Sequence, residues 1–359
     1  MNGKLIPVFL IILGGLLWVF WPNNESVEMP EVSGLSQRSR EISKQDARRE
    51  TIRWKHREEE VHFFEKHGVP ILTPEQLDQY LADQDYSAES FVAAYFVSQE
   101  ARFLIEGLER HPESGFLLFT LLSNYVGDSG WSSEELLSWA QRFLELEPDN
   151  FFAHVLMADQ LDIGEFPEEV MDHLGEASLL TNMRDYHSEQ QAAIRQIYES
   201  FGSTPEQASV AILGPKLGSA SRVNFRVVSV GKKLRAKLHE MDSKTAEDAR
   251  LAIHSLGEAL LSFDQPRTMM SEVFAMRLKK YALNGLPDEG PSFEENMTVA
   301  QAGVAMEARL DEIGRLAEPG FDIAEASTGV LDEYLNRVWE DGEMSAVQWL
   351  VGQVPLEEK

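Results

Sequence analysis

The chain has 359 residues, a formal net charge of −28 and no cysteine. The lack of thiols excludes disulfides, thiolate metal sites and cysteine nucleophiles. The acidic balance, with a pI near 4.7, disfavours binding of nucleic acid or anionic lipid by the whole surface. A hydrophobic fraction of 43% is ample for packed cores.

Residues 1–22 read as a membrane anchor. From Leu5 to Trp21 there is no charged side chain, and 17 residues sit at the short end of what spans a bilayer as a helix. Trp18 and Trp21 suit the outer interface. A signal peptidase needs small residues just before its cut, and Val19, Phe20, Trp21 and Pro22 are all wrong for it. Val32-Ser33-Gly34 would fit chemically but stands too far along, so a retained, single-pass anchor is expected. Lys4 precedes the segment, whereas Asn23 to Gln37 carries Glu25, Glu28 and Glu31 and no Lys or Arg. That asymmetry places the body outside the cytoplasm.

Residues 23–70 read as a polar linker followed by a charged helical stalk. From Arg38 to Lys66 charges are dense and paired at helical spacings. His56, His62 and His67 stand there with Glu58, Glu59 and Glu60. His56 and Glu60 could share a helix face, but no two-histidine pair with a carboxylate base exists. A solvated face is expected, with no metal.

From residue 71 onward the spacing predicts helix almost throughout. Thr73-Pro74-Glu75-Gln76 has Thr as cap, Pro at the first helical position and Gln reaching back. The same four residues recur at Thr204 to Gln207, and Ser132-Ser133-Glu134-Glu135 is a third such start. Apolar residues recur three and four apart in Phe91, Tyr95, Phe96, Leu104, Ile105 and Leu108, and again from Val223 to Met241. The valines of 222–230 admit a strand, but the sustained spacing to Met241 favours a helix bent at Gly231.

The region 71–182 contains an internal repeat. Pro112-Glu113-Ser114 opens a helix with Phe116, Leu118, Leu121 and Tyr125; Pro148-Asp149-Asn150 opens another with Phe152, Leu156, Ala158 and Leu161. A turn at Gly130 or Gly164 follows, then a helix carrying Ala140 or Ala177. This resembles the tetratricopeptide repeat, a helix-turn-helix unit of about 34 residues. Met157-Ala158, Leu161 and Ala177 stand at matching large and small positions. His154, Val170 and Asn182 stand where the family has Trp, Ala and Pro. The resemblance implies helical hairpins stacked into an array, with Ala158 and Ala177 in close contact within one hairpin.

Residues 183–359 continue as helices without a readable period, including Val299 to Leu316 and Asp322 to Val338, with a loop at Leu286 to Pro291. The expected architecture is therefore all-α: tetratricopeptide-like hairpins leading into a helical bundle, behind one membrane helix.

No catalytic or cofactor motif stands out. Ser229 and Lys232 have the spacing of a serine acylase, but the Lys-Thr-Gly and Ser-Asp-Asn elements that accompany it are absent. Between Lys216 and His239 there are seven basic residues and no acid. Arg222, Arg226, Lys232, Lys233, Arg235 and Lys237 form a strip with two readings: a docking site for an anionic partner, or counter-charge within an acidic fold. The layout resembles bacterial envelope proteins with one anchoring helix and a tetratricopeptide body, which commonly assist assembly or hold partners near the membrane. The expected function is a membrane-tethered adaptor or scaffold with a protein partner, no cofactor and no nucleic acid. The alternatives are an envelope enzyme acting on a polymer through carboxylates, and a cytoplasm-facing protein binding an anionic partner.

Overall fold

The computed structural model describes residues 62–124, 132–180, 182–213, 219–262, 268–317 and 326–353. Among them the chain is all-α, apart from one isolated bridge between Pro291 and Thr298 in a loop. The expected membrane helix, the linker and the stalk as far as residue 61 lie outside these residues. No helix among the described residues is long and apolar enough to cross a membrane.

Local signals start the helices. Thr73 caps α1 (Pro74–Asp83), Ser132 caps α5 (Ser133–Leu146) and Thr204 caps α9 (Pro205–Ile212), each in a reciprocal box with the third helical residue. The box satisfies two helix-terminal N–H groups that would otherwise lack partners. Ser87, Asn150, Thr268 and Ser327 cap α2 (Ala88–Ser98), α6 (Phe151–Gln160), α12 (Met269–Ala282) and α14 (Thr328–Asp341) through their side-chain oxygens. The remaining helices are α3 (Arg102–Arg110), α4 (Gly115–Asn124), α7 (Pro167–Leu179), α8 (His187–Ser200), α10 (Ser219–Lys237), α11 (Ser243–Ser262), α13 (Val299–Ala317) and α15 (Glu343–Gln353).

The two expected hairpins are α4–α5 and α6–α7, with α5 packed against both α4 and α6. Their members differ in kind. Every residue of α4 from Phe116 to Asn124 is buried, and α6 buries Phe151, Phe152, Ala153, Val155, Leu156, Ala158 and Asp159. A helix apolar on all sides must be covered on all sides. In contrast α5 buries only Leu136, Ala140 and Phe143, and α7 only Val170, Leu174 and Ala177. Both stripes have the same four-then-three spacing, so Ala177 corresponds to Phe143 and Leu174 to Ala140. The repeat pattern in the sequence pairs Ala177 with Ala140 instead. A shift of three positions keeps a residue on the same helix face, so periodicity alone does not separate the two alignments.

The cover for the first helices comes from later in the chain. Helix α8 returns to pack on α2, α10 lies across α4 and α6, and α11 lies against α7 while pairing along its length with α12. One hydrophobic cluster runs from Phe63 to Leu350 as a result. Its aromatic centre bridges the hairpins: Phe119 contacts Phe143 at 6.0 Å and Phe152 at 5.7 Å, and Phe116 stacks on Tyr186 at 5.2 Å. A small second cluster of Leu283, Val299, Ala302 and Met306 seats α13.

One placement differs from the sequence reading. Residues 62–69 are packed into the body rather than forming the end of a solvated stalk. Phe63, Phe64 and Val69 are buried, Phe64 meets Tyr198 edge-on, and His67 is buried beside Phe63 at 4.7 Å. The valine-rich stretch around 222–230 is helical, as its spacing favours: α10 runs through Gly231, where a Cβ would collide with Leu278 Cδ2. Gly231 is the point where α10 approaches α12.

Candidate functional site

Helix α10 carries the basic strip, and its place across α4 and α6 sets what those cations meet. Arg226 Nη1 lies 3.3 Å from Asp159 Oδ2. Lys233 Nζ donates to Asp159 Oδ1 at 2.7 Å and to the Asp159 main-chain carbonyl at 2.6 Å. The Asp159 side chain is only 3% exposed. Arg226 and Lys233 stand seven residues apart, two turns of helix, so both reach the same neighbour. One buried carboxylate thus receives two cations and has its lone pairs satisfied, which is the condition for burying a charge at tolerable cost.

The other members of the strip diverge. Lys237 pairs with Glu240 at 2.8 Å, and this bond raises its pKa. The Arg235 guanidinium lies 4.9 Å from the Tyr281 ring centroid, and Lys232 is exposed. The side chain of Arg222 lies outside the described residues. The strip therefore does not converge on one outward face: Arg226 and Lys233 turn to Asp159 on α6, and Arg235 to α12.

A second constellation is not legible in the sequence as a site. On α11, His254 and Glu258 stand four apart; Lys279 projects from α12, and Glu294 comes from the loop before α13. Their nearness follows from a close helix crossing at Gly257, where a Cβ would stand 3.0 Å from the Ala275 carbonyl oxygen and from Lys279 Cγ. Lys279 Nζ is bonded to the Glu258 carboxylate and lies 2.9 Å from Glu294 Oε1. His254 Nε2 lies 3.2 Å from the same Glu294 oxygen. Burial works against the ammonium, but the bonds to Glu258 and Glu294 outweigh it and raise the Lys279 pKa. Burial also works against the Glu294 carboxylate, and the Lys279 and His254 bonds overcome it, so its pKa is lowered.

His254, Glu258 and Glu294 have ligand atoms close enough to share a cation. The Lys279 ammonium already stands against both carboxylates. A divalent ion entering there would face that fixed charge at bonding range. The arrangement is an ion cluster, one ammonium shared by two carboxylates, that ties the loop 286–298 to the α11–α12 pair. The i, i+4 spacing of His254 and Glu258 is visible in the sequence; Lys279 and Glu294 join them only through the helix crossing.

No protein-family profile, curated protein or solved structure matches this chain.

Proposed function

We propose that the protein is a membrane-tethered helical adaptor that holds a protein partner near the membrane, with its body on the extracytoplasmic side. The apolar segment Leu5 to Trp21 supplies the tether. The observation that carries the reading is the stacking of the α4–α5 and α6–α7 hairpins on one continuous core. Stacked hairpins hold their helices in fixed register and offer broad surfaces to peptides and helices.

The first helices of these hairpins are covered by α10, so the surface offered to a partner belongs to the second helices. Both α5 and α7 turn one narrow stripe inward, and their outer sides carry Glu134, Glu145, Glu168 and Glu176, all exposed. An acidic face of this kind steers a partner segment of positive charge. The basic strip of α10 acts mainly as counter-charge within the acidic body, as the pairing of Arg226 and Lys233 with Asp159 supports.

The full chain in native membranes, cross-linked from α5 and α7 with the captured protein identified, tests the reading. The same partner should be recovered in repeated captures, and recovery should fall when Glu134, Glu145, Glu168 and Glu176 are changed to Lys. Recovery of nothing beyond what an unrelated anchored domain captures would overturn the adaptor role. Full-length protein fractionating away from membranes would overturn the tether.

A further inference from the structure

The turn at 161–166 folds α7 back along α6 and brings two histidines face to face. His154 Nδ1 and His173 Nδ1 are 3.4 Å apart, with ring centroids 5.6 Å apart. Both residues are partly exposed. His154 Nε2 lies 2.9 Å from the Pro148 main-chain carbonyl. A carbonyl oxygen only accepts, so that nitrogen carries the proton, and in the neutral ring Nδ1 is then a bare lone pair. The Nδ1 atoms of the two rings thus face each other across the hairpin.

A separation of 3.4 Å is at the outer edge of hydrogen-bonding range. It is, however, the separation of two nitrogens on one tetrahedral zinc ion, since bonds of about 2.05 Å at the tetrahedral angle place them about 3.4 Å apart. A backbone carbonyl on the far nitrogen is the usual partner that fixes the tautomer and orientation of a ligating imidazole, and Pro148 supplies it to His154. Glu169 stands four residues before His173 on the same helix side, but its carboxylate is not grouped with the two imidazoles in this structure, so water completes the shell. The His254 cluster differs in the feature that matters: no ammonium is bonded to His154 or His173 among the described contacts, whereas Lys279 stands within that other group.

We propose that His154 and His173 bind a divalent ion of the imidazole-preferring type, zinc in the first instance, through their two Nδ1 atoms, and that the ion staples α6 to α7 while leaving its other coordination positions open to solvent. Neutral imidazole suits zinc, copper and nickel over calcium or magnesium. The site is independent of the adaptor reading, because it rests on one hairpin and needs no partner.

The test uses the detergent-extracted full chain, stripped with a chelator and titrated with zinc alone in competition with a chromophoric chelator. Saturable binding of one ion per chain at this hairpin is expected, weaker by about tenfold or more in His154→Ala and in His173→Gln and unchanged in His254→Ala. Zinc should also raise the melting temperature of the unaltered chain and not that of His173→Gln. Histidine ring NMR signals need no variant: zinc must shift those of His154 and His173 and leave that of His254 in place. The proposal is overturned if calcium competes as well as nickel, if the chain carrying both His154→Ala and His173→Gln binds zinc as tightly as the unaltered chain, or if the shifted signals belong to other histidines.

Discussion

Lys233 holds Asp159 by two bonds at once, one to its carboxylate and one to its main-chain carbonyl, at 2.7 and 2.6 Å. The two residues are 74 positions apart in the chain. The carbonyl lies in the last turn of α6, where helix carbonyls lack intrahelical partners. A lysine on α10 therefore serves as both counter-ion and helix cap for α6.

Replacing Asp159 with Asn should lower stability by about 1–3 kcal/mol, the range for removing a charged partner from a buried hydrogen-bonded group. Lys233→Met should cost at least as much, because it takes a partner from a carboxylate that is only 3% exposed, whereas Asp159→Asn releases an ammonium that is 44% exposed and recovers water. Combining the two should cost less than the sum of the single changes, as expected for residues in contact. Urea midpoints of the four chains measure this. Strict additivity would mean the pair contributes nothing.

Gly231→Ala should destabilise by about 1–3 kcal/mol through overpacking, because the new methyl meets Leu278. The same change at Gly303 or Gly314, where a Cβ would meet nothing within 4 Å, should be neutral or stabilising by up to about 1 kcal/mol. Thermal unfolding of the three variants separates a contact glycine from two that only soften α13.

The ion cluster predicts a pH signature. The Glu294 pKa is lowered from 4.5, so its contribution is present above that value and is lost as pH falls through the lower folded value. The Lys279 pKa is raised from 10.5, so its contribution is present below that value and is lost as pH rises through the higher folded value. Lys279→Met should therefore reduce stability most between these limits and flatten the fall in urea midpoint below pH 4.5. Parallel curves for the variant and the unaltered chain would show that Lys279 does not couple to Glu294.

Ala177 is fully buried and Leu179, two residues on, is 77% exposed. Ala177→Leu should overpack the hairpin at a cost of about 1–3 kcal/mol, whereas Leu179→Ala should stay within about 0.5 kcal/mol of the unaltered chain. Equal melting temperatures for the two would contradict the burial of the α7 stripe.

The sequence by itself determined the helical character of this protein and the starts of several helices. The boxes at Thr73, Ser132 and Thr204 close over three residues, and the burial of Val227, Val230, Leu234 and Leu238 follows the apolar spacing read from Val223 to Met241. Such bonds and periods are local, so residue order alone specifies them. Only the tertiary structure decided that α10 lies across α4 and α6, that Gly231 is a contact, that 62–69 belong to the core, and that Lys279 bridges Glu258 and Glu294. The physical reason is that a helical period says which residues share a face and nothing about which distant face they meet. That choice belongs to the packing of whole helices, where burial of α4 and α6 on every side demands a cover and the charge on α10 finds Asp159 beneath it.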